Sequence, residues 1–240
     1  MENSVEVINL KKTYGSKLAV NNINFKIKEN EILGLLGPNG CGKTTTIGMI
    51  LGLLKPSSGE ILIEGMKIEE NRINILEKIN FISPYVELPK KLSIEENLEV
   101  YGRMYGVNNL RNKISNLMEQ LNLLEFKKRK TGELSSGQKN RVSLAKALIN
   151  EPEILLLDEP TASLDPDVGD YIRTYIENFA SKKGTTILLA SHNMNEVERL
   201  CNEVLMMKNG EIIDKGTCES LISKHGRENL EETFLKIVRE

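Results

Sequence analysis

The 240-residue sequence has no tryptophan, only two histidines and only three cysteines. Cys41, Cys201 and Cys218 are too scattered for a zinc knuckle or a Cys-x-x-Cys redox pair, so we expect reduced thiols. No apolar run approaches the roughly 18 residues of a membrane-spanning helix, and the N-terminus has no basic-then-apolar signal. The net charge of −2 gives no general attraction for nucleic acid. These absences predict a cytosolic chain without a nucleic-acid partner.

The composition provides enough apolar material for a core. The chain is 40% hydrophobic and 28% charged, which is typical of one large globular domain with room for a subdomain. Its one basic cluster, residues 127–130, reads Lys-Lys-Arg-Lys and is predicted to be a solvated surface turn. Composition therefore predicts a globular fold, and the activity has to be inferred from motifs.

A glycine-rich loop at residues 37–44 is the most informative motif. It reads Gly-Pro-Asn-Gly-Cys-Gly-Lys-Thr, follows the apolar run Ile32–Leu36 and precedes a helical pattern over Thr45–Leu51. In such a loop, backbone N–H groups turn inward around a polyphosphate, Lys43 supplies a charge for the β- and γ-phosphates, and Thr44 offers a hydroxyl to Mg²⁺. The strand before the loop and the helix after it favour nucleoside triphosphate binding over a chance match.

Cys41 lies inside this loop, close to Lys43 and to the start of the helix. Both surroundings lower the pKa of a thiol, which predicts inhibition by alkylation and protection by bound ATP. The alternative is that Cys41 is simply a small residue that the loop tolerates.

Two carboxylates follow a second apolar run. Ile154–Leu157 ends in Asp158 and Glu159, at the carboxyl end of a predicted parallel strand, where open α/β sheets bind ligands. Asp158 is predicted to anchor Mg²⁺, directly or through water, and Glu159 to polarise the water that attacks the γ-phosphate. The alternative is that the two acidic residues simply end the strand and bind no ligand. The presence of the phosphate loop disfavours this alternative.

A third motif, Leu134-Ser135-Ser136-Gly137-Gln138, stands before a helical pattern that runs to Leu148. Small residues at a helix start form an anion site, but they also serve simply as an N-cap. The residues alone leave both interpretations open.

Periodicity predicts an α/β fold. Residues 5–10 and 19–27 alternate with period two and predict an antiparallel hairpin, whereas residues 71–130 carry helix-period apolar positions. The run before the two carboxylates and the run Thr186–Ala190 predict strands buried on both faces of a parallel sheet. Further on, Asn209-Gly210 predicts a tight hairpin turn.

The ordered set of motifs resembles the ATP-binding subunit of an ABC transporter, and most closely the bacterial exporter type. The likeness covers nearly the whole chain and comprises residues 37–44, 134–138, 155–160 (Leu-Leu-Leu-Asp-Glu-Pro), 162–165 (Ala-Ser-Leu-Asp) and Ser191-His192. Ser136 departs by one residue from the family's Leu-Ser-Gly-Gly-Gln signature, and its small side chain should keep the backbone close to a phosphate.

The resemblance implies a fold and a division of the chain. The expected fold is a P-loop NTPase core with a mostly parallel sheet, an N-terminal antiparallel β part and a helical insertion subdomain. Residues 1–240 would form a single ABC ATP-binding domain, with 1–70 and 131–240 as catalytic core and 71–130 as the helical insertion.

The resemblance also implies how ATP and Mg²⁺ are bound. It predicts a head-to-tail dimer, of identical or different chains, with two ATP molecules between the subunits. One subunit would bind ATP through Tyr14, Gly37, Pro38, Asn39, Gly40, Cys41, Gly42, Lys43, Thr44 and Thr45, and the other through Ser135, Gly137 and Gln138. Thr44 and Asp158 would hold the metal, Glu159 and His192 would be catalytic, and Asp165 would belong to a loop that communicates across the dimer.

Some of these assignments have alternatives. Tyr14 stands where family members carry an aromatic residue that stacks on adenine, but a tyrosine can also simply end a strand. A histidine behind a strand, such as His192, is often structural. Family members usually carry a glutamine at the start of the insertion, and residues 79–87 contain none. Ser83, Tyr85, Glu87 or an additional water are the open candidates for its place.

The motifs together predict an ATPase subunit that energises transport through a separate transmembrane permease, in the direction of export. An importer subunit is one alternative, and a soluble ABC ATPase of the iron–sulfur assembly type, not coupled to transport, is another. The expected location is cytoplasmic, peripheral on the inner face of the cell membrane through the permease.

Overall fold

The computed structural model describes residues 2–162 and 164–239, in which two β-sheets pack among helices. Within these residues the strands are β1 (Asn3–Tyr14), β2 (Lys17–Lys28), β3 (Ile32–Leu36), β4 (Ser58–Ile63), β5 (Met66–Lys67), β6 (Ile79–Ile82), β7 (Ile154–Asp158), β8 (Thr186–Ser191), β9 (Glu203–Lys208) and β10 (Glu211–Gly216). The α-helices are α1 (Lys43–Ile50), α2 (Arg72–Lys78), α3 (Ile94–Met104), α4 (Leu110–Gln120), α5 (Ser136–Ala147), α6 (Pro166–Lys183), α7 (Met194–Leu200), α8 (Cys218–His225) and α9 (Leu230–Arg239).

An antiparallel sheet of order β2-β1-β4-β5 begins the fold. β1 and β2 pair around the turn at Gly15-Ser16, with Tyr14 opposite Lys17, which confirms the predicted hairpin. Val5 and Val7 point into the core because alternate side chains of a strand share a face. The hairpin therefore has one apolar face, and its first strand ends at Tyr14.

The second sheet has the order β10-β9-β3-β8-β7-β6, and every pair from β9 to β6 is parallel. β7 and β8 are buried along their whole length, as their continuous apolar runs predicted. Leu36 pairs with Ser191, and Asp158 pairs with Ala190. The carboxyl ends of β3, β7 and β8 therefore reach the same edge of the sheet.

One part of the predicted helical insertion is a strand. β6 lies at the end of the described sheet and pairs with β7, with Ile79 opposite Ile154. The expectation of a helical segment over residues 71–130 is therefore wrong at Ile79–Ile82. A four-residue strand between two helix-periodic segments is too short to alter the apolar pattern, so the sequence did not distinguish it.

The turn between β9 and β10 supports the phosphate loop. Asn209 and Gly210 have φ angles of 50° and 85°, and the two strands pair antiparallel, which confirms the predicted hairpin. The backbone N–H of Gly210 donates to the Cys41 carbonyl at 3.0 Å, while its carbonyl accepts from Asn21 at 2.8 Å. The turn thus joins the phosphate loop to β2.

Helix α3 of the insertion begins with a capping box. Ser93 Oγ accepts from the Glu96 N–H at 3.2 Å, and Glu96 Oε2 accepts from the Ser93 N–H at 2.7 Å. The fully buried Asn97 donates to the carbonyls of Pro89 and Leu92 at 3.3 Å and to that of Ser93 at 2.9 Å. These bonds fix the segment that leads from β6 into α3.

The surface agrees with the compositional predictions. Residues 127–130 are all exposed, which confirms that the basic cluster is a solvated turn. In the part of the chain that the structure describes, no helix combines the length and the apolarity needed to cross a membrane.

A buried lysine fastens α5 to β6. Lys146 Nζ donates to Asn80 Oδ1 and to the Phe81 carbonyl, both at 3.1 Å, and lies 4.4 Å from the centre of the Phe81 ring and 5.6 Å from that of Tyr101. These partners are neutral, so the ammonium is buried without a carboxylate in contact among the residues that the structure describes. Burial consequently lowers the pKa of Lys146 to about 8.

Lys146→Met should change how stability depends on pH. Between the folded pKa of about 8 and the ordinary value of 10.5, the unfolded chain binds a proton that the folded chain has released, so folding becomes more favourable as pH rises. The free energy of unfolding of the wild type should therefore gain about 2 kcal/mol relative to the variant between about pH 7.5 and about pH 10. Urea denaturation at both pH values measures this difference, with Lys182→Met, at an exposed lysine, as control. A pH-independent difference between wild type and Lys146→Met would contradict the assignment.

Candidate active site

The phosphate loop joins β3 to α1, and its shape depends on glycine. Gly42 is the N-cap of α1 with a φ of 115°, and Gly40 has a φ of 81°. A Cβ atom at Gly42 would lie 2.5 Å from the carbonyl oxygen of Ala19, so a larger residue would push the loop away from β2. The loop therefore closes over the N-terminus of α1, where free N–H groups and the helix dipole favour an anion.

The ammonium of Lys43 lies inside this loop. Its Nζ donates to the Gly37 carbonyl at 2.6 Å and lies 3.4 Å from the Pro38 carbonyl and 3.8 Å from Glu159 Oε1. Lys43 is buried, and its closest partner is a neutral carbonyl group. One positive charge is thus held between the loop and the end of β7, where it can attract a phosphate.

Thr44 and Asp158 join the start of α1 to the end of β7. Thr44 Oγ1 donates to Asp158 Oδ2 at 2.9 Å, and Asp158 is 1% exposed. Burial raises the pKa of Asp158, while the hydrogen bond from the Thr44 hydroxyl and the nearby Ser83 hydroxyl lower it. Asp158 Oδ1 is buried and has no hydrogen-bond partner among the described residues. A buried carboxylate oxygen of this kind is able to coordinate a cation.

Glu159 and His192 form a pair directly after β7 and β8. His192 Nδ1 lies 2.7 Å from Glu159 Oε2, and the Glu159 N–H donates to the Ala190 carbonyl at 2.8 Å. Glu159 has a φ of 51°, which is uncommon for a residue with a side chain and is typical of functional sites. The His192 side chain is half exposed. The pair thus places a carboxylate and an imidazole side by side after the ends of β7 and β8.

A cavity of about 350 Å³ brings most of the predicted residues together. It is lined by Tyr14, Lys17, Ala19, Asn39, Gly40, Gly42, Lys43, Thr44, Thr45, Tyr85, Asp158 and Glu159. Gly37, Pro38 and Cys41 belong to the same loop but do not line the cavity. Its walls combine two lysine side chains, several hydroxyls and two carboxylates, which are the groups that a triphosphate with a divalent metal needs.

Tyr14 lies at the mouth of this cavity, at the end of β1. Its side chain is 46% exposed, and Lys12 Nζ is 5.0 Å from the centre of its ring. An exposed ring beside a phosphate loop is available for stacking on a base. The sequence did not single out Lys17, although it directly follows the hairpin turn that Tyr14 begins.

The candidates for the missing glutamine differ in position. Tyr85 lines the cavity, and Ser83 is close enough to Asp158 to lower the pKa of that carboxylate. Glu87 instead pairs with Lys90 at 2.6 Å on the surface. Ser83 and Tyr85 therefore remain as the two protein groups near the site.

The Ser135 segment lies outside this cavity. Ser135 Oγ accepts from the Gln138 N–H at 3.3 Å, and Gln138 Oε1 accepts from the Ser135 N–H at 3.0 Å, which makes a capping box at the start of α5. Ser135 is exposed, and Gly137 and Gln138 are partly exposed. One chain therefore does not bring this helix end to its own phosphate loop.

The loop after Glu159 leads into α6. Asp165 occupies the N-cap position of α6, and no hydrogen bond from its side chain to the helix is present. Ser163 of the same motif lies outside the described residues. Asn140 Nδ2 on α5 donates to the Pro160 carbonyl at 2.6 Å, so the beginning of this loop is held by the helix that starts at Ser136.

Cys41 is not the activated thiol that the sequence suggested. Its side chain is 3% exposed and belongs to the hydrophobic core, and burial raises its pKa even though Lys43 lowers it. The expected activation by a cation and a helix N-terminus is therefore wrong, because desolvation of the thiolate outweighs both.

Sequence reasoning also missed Glu196. Its spacing from Asn193 suggests a capping box, and only the structure turns its carboxylate inward to Thr161 and Ser191.

Iodoacetamide should label Cys41 slowly in the folded protein. Because Cys41 is buried with a raised pKa, we expect labelling about tenfold slower than at the partly exposed Cys218. Mass spectrometry of peptides after native labelling measures both rates, and labelling in urea provides the reference. Equal native rates would contradict the burial of Cys41, and labelling faster than at Cys218, whose pKa burial also raises, would restore the activated-thiol interpretation.

Comparison with known proteins agrees with this geometry. A family model described as ABC transporter matches residues 20–162. Nod factor export ATP-binding protein I of Rhizobium sp. strain N33 is 36% identical over 224 residues, which are 92% of this chain and 73% of that protein. Linearmycin resistance ATP-binding protein LnrL of Bacillus subtilis strain 168 is 36% identical over 241 residues, which are 96% of this chain and 77% of that protein.

A solved structure shares the fold. It is the ATP-binding cassette MJ0796 in a dimeric post-hydrolysis state bound to ADP and Pi, and it covers 89% of this chain and 98% of its own with a TM-score of 0.83 and 29% identity. This likeness confirms the predicted α/β fold of the P-loop type. The family model spans the phosphate loop and both carboxylates of the cavity. The chain therefore belongs to the ABC transporter family, as an ATP-binding subunit that hydrolyses ATP.

Proposed function

We propose that two copies of this subunit, or this subunit and a related one, clamp ATP between them to drive export through a separate permease. The observation that carries the proposal is the incomplete cavity. It contains Lys43, Asp158 and Glu159, whereas the small-residue start of α5 at Ser135 lies outside it and is exposed. A head-to-tail dimer would bring the Ser135 end of one copy to the Lys43 cavity of the other.

Within one cavity, the residues around Lys43 are proposed to divide the binding of the nucleotide among them. Lys43 binds the β- and γ-phosphates, and the loop residues Asn39, Gly40, Gly42 and Thr45 surround them. Tyr14 stacks on the base. In the partner copy, Ser135, Gly137 and Gln138 bind the γ-phosphate through the helix N-terminus.

The site also fits Mg²⁺. Asp158 Oδ1 has no hydrogen-bond partner among the described residues, and the Thr44 hydroxyl lies beside the other oxygen. No group of three His, Cys, Asp or Glu side chains suited to a metal occurs in the described part of the chain. Mg²⁺ needs no such group, because one or two protein oxygens, phosphates and waters complete its shell. Thr44 and Asp158 would hold it, and it would neutralise charge on the phosphates.

Hydrolysis is proposed to rest on Glu159 and His192. Glu159 orients and polarises the attacking water, and Lys43 Nζ lies 3.8 Å from its Oε1 atom. His192, hydrogen-bonded to Glu159, fixes the direction of that carboxylate and reaches the γ-phosphate. Loss of the γ-phosphate removes the contact that both copies share, so the closed dimer opens.

We propose that the insertion couples the subunit to the permease. Its proposed bounds remain residues 71–130, without the strand β6. Val100 and Met104 lie one turn apart on α3 and are 44% and 75% exposed. An exposed apolar pair on a short helix is a suitable contact for a membrane protein. The subunit would then be cytoplasmic and peripheral on the inner face of the membrane. The export function of the Nod factor relative supports the direction of transport.

Glu159→Gln should retain ATP and abolish hydrolysis. The amide keeps the size of the carboxylate but cannot accept a proton from water, so we expect a loss of about 100-fold or more in kcat. ATP should now hold the variant as a stable dimer, measured by analytical ultracentrifugation, whereas Lys43→Ala should bind little ATP and stay monomeric. Glu99→Gln on the insertion is the matched control and should hydrolyse normally. Hydrolysis by Glu159→Gln at the wild-type rate would exclude Glu159 as the base.

Met104→Glu should weaken the association with the permease without changing hydrolysis by the free subunit. A charge buried against an apolar partner surface costs enough to reduce co-purification by about tenfold. The measurement is recovery of the co-expressed multi-span membrane protein from detergent extract on the tagged subunit. Ile213→Glu, on β10 at the other end of the sheet, is the matched control. Undiminished recovery with Met104→Glu would exclude this face of α3.

A further inference from the structure

Glu196 is a buried carboxylate for which the mechanism above has no role. It lies on α7, is 1% exposed, and its backbone N–H donates to Asn193 Oδ1 at 3.4 Å. In a capping box its side chain would return to the N–H of Asn193. That N–H instead donates to Ser191 Oγ at 3.0 Å, and the Glu196 carboxylate is left free to face the interior.

Both oxygens of this carboxylate accept hydrogen bonds, and the two donors lie in different segments, one in the loop after β7 and one at the end of β8. Thr161 Oγ1 donates to Oε1 at 2.8 Å, and Ser191 Oγ donates to Oε2 at 2.7 Å. Thr161 follows Glu159 by two residues, and Ser191 directly precedes His192. All three bonded side chains are buried. One carboxylate therefore ties together the two segments that carry the Glu159–His192 pair.

The electrostatic surroundings make this carboxylate costly to bury. Burial raises the pKa of Glu196, and the hydroxyls of Ser191 and Thr161 lower it. At longer range Arg173 lowers the pKa and Glu159 raises it, and within the described part of the chain no cation in contact compensates the charge. The two hydroxyl bonds are its main stabilisation, which means that the positions of both segments and of the carboxylate are fixed together.

Helix α5 also holds the loop after Glu159, which contains Thr161. Asn140 Nδ2 donates to the carbonyl of Pro160, which precedes Thr161. A continuous path of hydrogen bonds and short peptide segments thus runs from α5 through the loop after Glu159 to Glu196. From there it reaches His192 through Ser191.

We propose that Glu196 is a positioning residue that sets His192 against Glu159 and makes this geometry depend on α5. The inference rests on the roles proposed above for His192, Glu159 and the Ser135 end of α5. When that end engages the nucleotide of the partner copy, any displacement of α5 is passed to the loop at Thr161. Glu196 then conveys it to the His192 segment, which gives the two nucleotide sites of a dimer a route of communication.

The kinetic test compares Glu196→Ala with Glu196→Gln in the full 240-residue chain. Glu196→Ala should lower kcat for ATP about tenfold. The Kd for ATP should stay within about twofold of wild type, because Thr161, Ser191 and Glu196 do not line the nucleotide cavity. The kcat of Glu196→Gln should lie between those of the wild type and Glu196→Ala. Its amide oxygen still accepts a hydrogen bond from Thr161, whereas its NH₂ group cannot accept one from Ser191. The isosteric Gln variant also keeps the test decisive if the Ala variant fails to fold.

A spectroscopic test reads the position of His192 directly. The chain has only two histidines, so the imidazole NMR signals of His192 and His225 are easily assigned. Both Glu196 variants should shift the His192 signals and leave those of His225, which is hydrogen-bonded to Asp214 at 2.7 Å, unchanged. Asn97→Ala removes a buried polar side chain from the insertion and is the matched control, expected to move neither set.

The outcomes separate this inference from the proposed function. If Glu159→Gln and His192→Ala lose hydrolysis while folded Glu196 variants keep wild-type kcat and unmoved His192 signals, the positioning role is excluded and the mechanism stands. A parallel loss of kcat, ATP affinity and His225 signals would mean a purely structural role and would also overturn the inference. If His192→Ala hydrolyses normally, the role of His192 fails, whereas the NMR shifts still test the coupling.

Discussion

The parallel pairing of β3, β8 and β7 is the constraint on which the site depends. Because these strands end at one edge, the phosphate loop, the Asp158-Glu159 pair and the Ser191-His192 pair start side by side, although they are far apart in sequence. The short contacts follow from this arrangement. Thr44 reaches Asp158 at 2.9 Å, and His192 reaches Glu159 at 2.7 Å. The chemistry of the site is thus produced by strand order rather than by any single motif.

The same strand order explains why α5 is suited to link two sites. The Ser135 end of this helix lies outside the cavity, yet the helix is fastened to the core at two points. Asn140 bonds the loop after β7, and Lys146 bonds the end of β6. In the proposed dimer, a displacement of the exposed end of α5 would be passed both to the loop after Glu159 and to β6. In the proposed dimer this attachment connects nucleotide binding in one copy with the catalytic pair of the other site.

The sequence predicted the features that local chemistry determines. Glycine spacing identified the phosphate loop, the run before Asp158 identified a buried parallel strand, and Asn209-Gly210 identified a hairpin turn. Predictions failed where tertiary packing decides. Cys41 was expected to be activated because its neighbours in sequence favour a thiolate, but the fold buries it in the core. Glu196 was missed because its local spacing matches a helix cap, and only the fold turns its carboxylate towards two distant hydroxyls. The strand at 79–82 was too short to interrupt the helical pattern.

In the proposed dimer, one nucleotide is clamped by the Lys43 cavity of one copy and the Ser135 helix end of another. The most direct measurement is a crystal structure of the Glu159→Gln variant with MgATP. We expect a triphosphate whose γ-phosphate contacts Lys43 of one copy and the start of α5 of its neighbour. A bound triphosphate with the Ser135 segment facing solvent in every assembly would contradict it.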